Sequence, residues 1–407
     1  MVPQRGLEWI KTTFSLEPRW VIEPQLDDIK AEIQAILNWT GDFRVTFIAQ
    51  GAFNKLYKVE NGNDALVMRI SLPVDPGSKT ESEVATLHFM LENGEIPVPK
   101  VRAYDSSSSN RVGFEWILMD LMPGIPLHDR WRYMTWGAKE ALIQQLATHY
   151  TSMYRQQFDT IGNAYLSSEG RRSRIPYIGK IVSMQFFWGD HISQDVLRGP
   201  FHSSQDWLSA RLSFDESDSR KILNQSEDED DREDAEDTLK ILTRLRKLLP
   251  DLHFSPHEPT MFFHDDLSQH NILVDEAGNL TAVIDWECVS TLPLWKACQF
   301  PAFLEGRNRA EEPLQQNYQR DGQISDLFWD HLLEYELAQL RTSFFQQMEQ
   351  LEPKWTLAYR SSQPLRDFDL AAKNCSEPFS LRTINAWLDD VENNVIGAQS
   401  LEQRLRQ

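Results

Sequence analysis

The chain has 407 residues, of which 41% are hydrophobic and 11% aromatic, so it can bury a core and is not a largely disordered chain. Its 61 acidic residues outnumber 41 basic ones and give a net charge of −20, which argues against nucleic acid or an anionic membrane as a partner. The charge is uneven, because residues 227–237 hold nine acidic residues and one Arg, which together carry −8.

Residues up to 122 are predicted to form a helix followed by a small α+β unit. Pro24 and the helical spacing of the following Ile residues predict a helix over residues 24–39, so we interpret residues 1–40 as an N-terminal helical extension. Three short β-rich runs joined by turns then occupy residues 44–70. A second helix and two further strands complete the unit over residues 41–122. One face of this helix is predicted to carry Val84, Leu87, His88 and Leu91.

Residues 123–407 have a mainly helical pattern. Within them, residues 158–255 are interpreted as an insertion, and the acidic run 227–237 as a solvated loop leading into a helix. Further amphipathic helices are predicted over residues 138–157, 325–350 and 380–405.

The segment 261–287 carries the most informative pattern. Two apolar runs, Ile272–Val274 and Ala282–Ile284, flank a turn that contains Gly278, so residues 272–284 are predicted to form a β-hairpin. Asn271 precedes the first strand and Asp285 follows the second, and antiparallel pairing places both at the same open end.

The residue types at this end suit a magnesium ion and a base. An amide oxygen from Asn271 and a carboxylate from Asp285 are hard oxygen ligands of the kind that Mg²⁺ prefers. Asp266 lies on the loop that enters the same end, where a carboxylate can accept the proton of an attacking hydroxyl. With His264, these residues match the catalytic-loop signature of kinases, in which the Asp is the base and the Asn and second Asp bind metal.

The motif differs from that of protein kinases. Asp265 follows His264 where signalling kinases carry Arg, and Trp286-Glu287 rather than Phe-Gly follows Asp285. This variant resembles the aminoglycoside phosphotransferase and choline-kinase-like family of small-molecule kinases. The flanking sequence from Leu280 to Gly306 is similar to its fungal branch, in particular to the altered inheritance of mitochondria proteins.

The resemblance implies a two-lobed, protein-kinase-like α+β fold with ATP in the cleft between a small β-rich N-lobe (41–122) and a larger, mainly helical C-lobe (123–407). It also implies roles for individual residues. Asp266 is the expected base, Asn271 and Asp285 are the expected magnesium ligands, and His264 is expected to brace the catalytic loop.

The same resemblance assigns the nucleotide-binding residues. Gly51, Asn54 and Lys55 belong to the expected nucleotide-covering loop. Arg69 stands where the family usually has a phosphate-binding Lys, and its expected ion-pair partner is Glu83, with Glu81 as the alternative. The expected adenine-binding hinge consists of Met119, Asp120, Leu121 and Met122.

The predicted function is ATP- and Mg²⁺-dependent transfer of the γ-phosphate to a hydroxyl of a small molecule. The insertion is expected to contribute to the acceptor site. Two alternatives stay open at this point: a nucleotide-binding pseudokinase with a maintenance role, motivated by Arg69, and an enzyme that phosphorylates its substrate to activate it for elimination or condensation. The sequence does not distinguish ATP from GTP as the phosphate donor, and it does not determine the oligomeric state.

The expected location is the cytoplasm. Three widely spaced cysteines, Cys288, Cys298 and Cys375, argue against a disulfide framework and for a reducing compartment. The first twenty residues lack the apolar segment of a secretory signal and mix Glu with their basic residues. Family resemblance makes mitochondria the alternative.

Overall fold

The chain folds into a β-rich N-terminal part and a mainly helical C-terminal part, which confirms the predicted fold class. The structure is a computed structural model that describes residues 4–12, 16–39, 41–62, 64–167, 176–320 and 323–406. Residues 168–175 of the predicted insertion therefore lie outside the described residues.

The N-terminal segment differs from the predicted helical extension, because a hairpin precedes its helix. Strands β1 (Leu7–Lys11) and β2 (Leu16–Trp20) pair antiparallel, and helix α1 (Leu26–Leu37) follows. Trp9 packs edge-on against Trp188, with ring centroids 4.9 Å apart. Five-residue strands stabilised by such distant contacts leave only a weak local pattern in the sequence.

The small α+β unit is a five-stranded antiparallel sheet with one helix, as predicted. Its strand order is β3-β4-β5-β7-β6, and helix α2 lies between β5 and β6 in the chain. The bounds are β3 (Arg44–Gln50), β4 (Asn54–Asn61), β5 (Asp64–Ser71), α2 (Ser78–Asn93), β6 (Val101–Asp105) and β7 (Glu115–Asp120).

The buried face of α2 differs in part from the predicted one. Val84 and Leu87 are buried as expected, but His88 and Leu91 are exposed. Phe89 and Met90 are buried instead, because both join the large apolar core that the C-terminal helices supply. Helix α2 is therefore buried on two sides, and its buried residues do not form the single apolar stripe that helical periodicity predicts.

The remaining strands are short. They form a β11–β14 pair, a β9–β10 pair, a β15–β16 pair and a three-stranded sheet in the order β13-β12-β8. Their bounds are β8 (Ile125–Pro126), β9 (Asn163–Tyr165), β10 (Tyr177–Gly179), β11 (Thr260–Phe263), β12 (Ile272–Val274), β13 (Leu280–Val283), β14 (Ser290–Pro293), β15 (Gln319–Arg320) and β16 (Gln323–Ile324).

Helices make up most of the C-terminal part. No helix in the described residues has both the length and the apolar character needed to cross a membrane. The helices are α3 (Leu127–Arg130), α4 (Trp136–Arg155), α5 (Met184–Phe187), α6 (Ser204–Gln225), α7 (Glu229–Leu248), α8 (Leu294–Ala297), α9 (Asp326–Leu351), α10 (Pro353–Ser361), α11 (Gln363–Asn374), α12 (Pro378–Glu392) and α13 (Leu401–Leu405).

Two of the long helix predictions are confirmed and one is wrong. Helices α4 and α9 match the predicted helices over 138–157 and 325–350. The single helix predicted over 380–405 is two helices, α12 and α13. The break contains Asn394 and Gly397, both with positive φ (51° and 79°), a backbone region that ends right-handed helices.

The prediction of a solvated loop over residues 227–237 is also wrong, because most of this acidic run forms the first half of α7. The Asp228 side chain caps the helix by accepting hydrogen bonds from the backbone N–H groups of Asp230 (2.9 Å) and Asp231 (3.4 Å). Acidic residues in the first turn also interact favourably with the positive end of the helix dipole. The acidic run therefore stabilises the N-terminus of α7.

Asp228→Ala is expected to lower the free energy of unfolding by about 0.5–2 kcal/mol, because the first-turn N–H groups of α7 lose their acceptor. Urea unfolding followed by circular dichroism measures the change. Asp228→Asn is the matched control, since an amide oxygen also caps helices and most of the stability should be kept. Equal losses in the two variants would contradict a capping role.

Candidate active site

The predicted hairpin over residues 272–284 is present and brings two of the predicted site residues together. Strands β12 and β13 pair with Ile272 opposite Val283, and the Ile284 N–H donates to the Asn271 carbonyl at 2.9 Å. Asn271 and Asp285 therefore sit at the same open end, as expected. Asp285 has a φ of 64°, a left-handed conformation that Asp tolerates better than most residues.

Asp266 and Asn271 are joined by direct hydrogen bonds. The Asn271 Nδ2 donates to Asp266 Oδ2 at 2.9 Å and to the Asp266 carbonyl at 2.8 Å. This orientation leaves the Asn271 Oδ1 without a donor among the described residues. Partial desolvation raises the pKa of Asp266, and the Asn271 hydrogen bond opposes that shift.

His264 is buried behind the catalytic loop. Its Nε2 lies 3.4 Å from the Ile284 carbonyl, and its ring packs edge-on against Trp286 with centroids 5.0 Å apart. Burial lowers the pKa of His264 to about 4, so the ring is neutral near pH 7. These contacts agree with the predicted bracing role, since they tie the loop to the end of β13.

Arg69 forms the predicted ion pair with Glu83. Both side chains are buried, with exposed fractions of 4% and 2%. Glu81, the alternative partner, is exposed and accepts a hydrogen bond from Ser106 instead. The other arm of the guanidinium reaches Asp285, with Nη1 3.2 Å from Oδ1. The forked Arg therefore links α2 to the residue after the hairpin.

Two charged residues in this cluster were missed from the sequence. The Lys79 Nζ lies 2.5 Å from Glu287 Oε2, and Asn54 Nδ2 donates to the same oxygen at 2.7 Å. The signals were present, because Lys79 precedes Glu83 by one helical turn and Glu287 follows Asp285 by two residues. Lys79 is 1% exposed.

The carboxylates of the cluster differ in their protonation behaviour. Desolvation and the neighbouring Glu287 charge raise the pKa of Asp285. Desolvation acts on Glu287 in the same direction, but Lys79 and Arg69 outweigh it and hold its pKa below the usual range. The cluster thus combines one carboxylate whose charged form is favoured, Glu287, with one whose charged form is disfavoured, Asp285.

The geometry agrees with a family assignment from sequence comparison. The model of the phosphotransferase enzyme family matches residues 44–295, more than half of the chain. The chain belongs to the phosphotransferase enzyme family. The match runs from the first strand of the five-stranded sheet to the helix that follows β14, so it includes every predicted site residue.

Two similar proteins of this family come from fungi. An Aspergillus fumigatus subtelomeric hrmA-associated cluster protein is 27% identical over 304 residues, which are 63% of this chain and 59% of that protein. Altered inheritance of mitochondria protein 9 of Clavispora lusitaniae is 23% identical over 322 residues, 66% of this chain and 52% of that protein. The chain therefore spans only about half to three fifths of these relatives' length.

Solved structures of aminoglycoside phosphotransferases also match. One is a thermostable mutant of the enzyme APH(4)-Ia in complex with ADP and hygromycin B. It shares 15% identity with a TM-score of 0.46, and the match covers 91% of this chain and all of that one.

The loop that the family resemblance assigns to nucleotide binding is only partly directed toward the site. A side chain at Gly51 would meet nothing within 4 Å, so the loop has open space at this residue. Asn54 faces the charged cluster, but Lys55 points to the opposite face of the sheet. There Lys55 pairs with Glu23 and lies 4.9 Å from the Trp20 ring centroid. Its ammonium therefore does not reach the charged cluster, and the prediction that Lys55 faces the nucleotide site needs correction.

The predicted hinge lies at the end of β7. Met119 is buried, and the N–H groups of Asp120 and Leu121 donate to the carbonyls of Lys100 (3.0 Å) and Ala65 (3.2 Å). The Asp120 carboxylate pairs with Arg102. The Met122 N–H has no backbone acceptor among the described residues. Among Asp120, Leu121 and Met122 of the predicted hinge, only Met122 thus has a backbone N–H without a backbone acceptor in the described part of the chain.

Proposed function

We propose that this protein is an ATP- and Mg²⁺-dependent phosphotransferase that transfers the γ-phosphate to a hydroxyl of a small molecule. The observation that carries the proposal is the grouping of Asp266, Asn271 and Asp285 at one end of the β12–β13 hairpin. The Arg69–Glu83 ion pair contacts this group through Asp285. This combination supplies a base, oxygen ligands and a buried cation in one cleft, which phosphoryl transfer requires.

The residues at the hairpin end fit a magnesium ion. Asn271 Oδ1 and Asp285 Oδ2 receive no hydrogen bond from the described residues, and both are hard oxygen donors. Desolvation and the Glu287 charge raise the pKa of Asp285, and a divalent cation bound to its carboxylate would oppose that shift. Magnesium bound there would neutralise the charge of the nucleotide's β- and γ-phosphates.

Asp266 is the proposed base. Its carboxylate is exposed on the loop before β12 and is oriented by Asn271, so a bound hydroxyl can donate its proton to the free carboxylate oxygen. Arg69 holds Asp285 in place while Glu83 holds Arg69. These contacts fix the position of the Asp285 carboxylate through side chains of the protein itself, as electrostatic preorganisation of such a site would require.

The acceptor site and the cellular location are also part of the proposal. We assign acceptor binding to the segment 158–255, of which the structure describes residues 158–167 and 176–255, as the family layout suggests. A cytoplasmic location is proposed from the three widely spaced cysteines, which argue for a reducing compartment. Mitochondria are the alternative because several yeast relatives carry that word in their names.

The first experiment is thermal unfolding with ATP and Mg²⁺ together, with ATP alone and with Mg²⁺ alone. A ligand at 100 times its Kd adds about 2.7 kcal/mol, so a clear rise in melting temperature is expected when both are present. ADP formation with a panel of hydroxyl compounds, followed by phosphorus NMR of the product, then tests transfer. A nucleotide-induced shift without turnover would favour a pseudokinase, an unstable phosphorylated product would favour activation for elimination, and no shift would refute the proposal.

A further inference from the structure

We propose that Lys79 on α2 supplies the ammonium that binds the nucleotide's phosphates, in place of the Lys that the family usually carries at the position of Arg69. This inference rests on the proposed function, because it concerns the same cleft. The phosphate-binding ammonium would then come from helix α2 rather than from β5, the strand that contains Arg69.

The position of the Lys79 Nζ is the first argument. It lies 3.1 Å from Asn54 Oδ1, at the end of the loop that covers the nucleotide, and 2.5 Å from Glu287 Oε2, two residues after the proposed metal ligand Asp285. In kinases the phosphates pass between this loop and the metal residues. The ammonium of Lys79 therefore stands at the border of the path that the phosphates would take.

The second argument is that Arg69 already pairs with two carboxylates of the protein. One arm of its guanidinium is paired with Glu83 and the other lies 3.2 Å from Asp285. Arg69 is thus used to connect α2 with the end of the hairpin. A planar fork suits this bridging task, whereas a compact ammonium suits a phosphate as a point charge.

The unused donor capacity of Lys79 is the third argument. An ammonium has three N–H donors, and the described residues provide two acceptors, Asn54 and Glu287. Burying a cation is costly, so Lys79 needs these partners in the absence of ligand. The Glu287 side chain is 15% exposed and the Asp285 side chain 37% exposed, so the cluster opens to solvent on the side of the metal residues.

The test compares Lys79→Met with Lys139→Met by calorimetric titration of ATP, ADP and adenosine in the presence of Mg²⁺. Lys139 is a matched control, because it is also a buried helix residue (4% exposed) but its ammonium pairs with Glu336 on α9 rather than with the cluster. We expect Lys79→Met to weaken ATP and ADP binding by about 10- to 100-fold and to leave adenosine binding unchanged. Lys139→Met should bind all three compounds like the wild type.

Two results with the variants would overturn the inference: unchanged ATP affinity in Lys79→Met, or an equal loss of affinity for adenosine and ATP. The second would mean that Lys79 only supports the structure of the cleft. If the wild-type protein binds no nucleotide, the proposed function itself fails. If the wild type binds ATP and Lys79→Met binds it equally well, only the role of Lys79 is refuted and the proposed function stands.

A second measurement on the wild-type protein does not depend on the folding of a variant. An ATP derivative with an acyl group on its γ-phosphate transfers that group to a nearby lysine, because the amine attacks the acyl carbonyl, forms an amide and releases ATP. Mass spectrometry should find the acyl group on Lys79, and excess ATP should prevent the reaction. Acylation of other lysines alone, in protein that binds ATP, would contradict the assignment.

Discussion

The Asp266→Asn variant is expected to bind ATP with near wild-type affinity and to lose about 10²- to 10⁴-fold in kcat, equivalent to about 3–5 kcal/mol in the barrier. Asn has the shape of Asp, and its side-chain oxygen can still accept the hydrogen bond from Asn271, so the loop should keep its conformation. Only the capacity to take the hydroxyl proton is removed. Steady-state kinetics with a saturating acceptor and titration of ATP measure the two quantities.

The pH dependence of kcat provides an independent check on the same carboxylate. Because partial desolvation raises the pKa of Asp266 above its ordinary value of 3.8, the wild-type rate should fall as the pH is lowered through that higher pKa. Asp266→Asn should lack this acid limb. Asp265→Asn is the control: it removes the adjacent exposed carboxylate and should keep the rate at neutral pH and the acid limb. The limb should move slightly to lower pH, because the Asp265 charge contributes to the raised pKa of Asp266. A large loss of ATP affinity in Asp266→Asn would refute the assignment of Asp266 as the base.

The geometry of the hairpin end could be predicted from the sequence because it depends on local rules. Antiparallel pairing with a short turn forces Asn271 and Asp285 to the same end, whatever the rest of the chain does. The Arg69–Glu83 pair could be predicted only through the family resemblance. Its two residues lie on different elements, and the choice between Glu81 and Glu83 depends on which face of α2 meets the sheet.

The features that could not be predicted depend on contacts between distant segments. The direction of Lys55 follows from the N-terminal segment, which places Glu23 and Trp20 against the outer face of the sheet. The spacing of Lys79, one helical turn before Glu83, places both residues on the same face of α2 but does not show that Lys79 is buried. Its burial becomes visible only when β4 and the segment after the hairpin bring Asn54 and Glu287 to it.

The backbone conformation of the acidic run 227–237 could not be predicted for a related reason. A dense run of charges predicts a solvated segment, and residues 229–237 are indeed mostly exposed. Exposure does not exclude a helix, because Asp228 caps its start and the Leu residues that follow attach its second half to the core. Composition thus indicated the solvent exposure of this segment correctly but not its backbone conformation.

The Asp285→Asn variant is expected to lose the Mg²⁺ dependence of nucleotide binding. Asn adopts the left-handed backbone found at this position and preserves the shape of the side chain, so the change isolates the negative charge. Without that charge the metal loses an anionic ligand, while Arg69 is freed to interact with phosphate directly. ATP in the presence of Mg²⁺ should therefore bind at least tenfold more weakly, and ATP alone at least as tightly as it binds the wild type.

The stability of the ligand-free variant separates this role from a structural one. Desolvation and the Glu287 charge raise the pKa of Asp285 to about 6, so at neutral pH its ionised carboxylate costs the folded protein stability relative to the unfolded chain. Removing the charge should leave the melting temperature of the free protein unchanged or higher, although the nucleotide-induced shift disappears. A site that lowers stability without its ligand is one retained for binding rather than for folding. A variant that melts lower but still needs Mg²⁺ to bind ATP would instead make Asp285 a structural partner of Arg69.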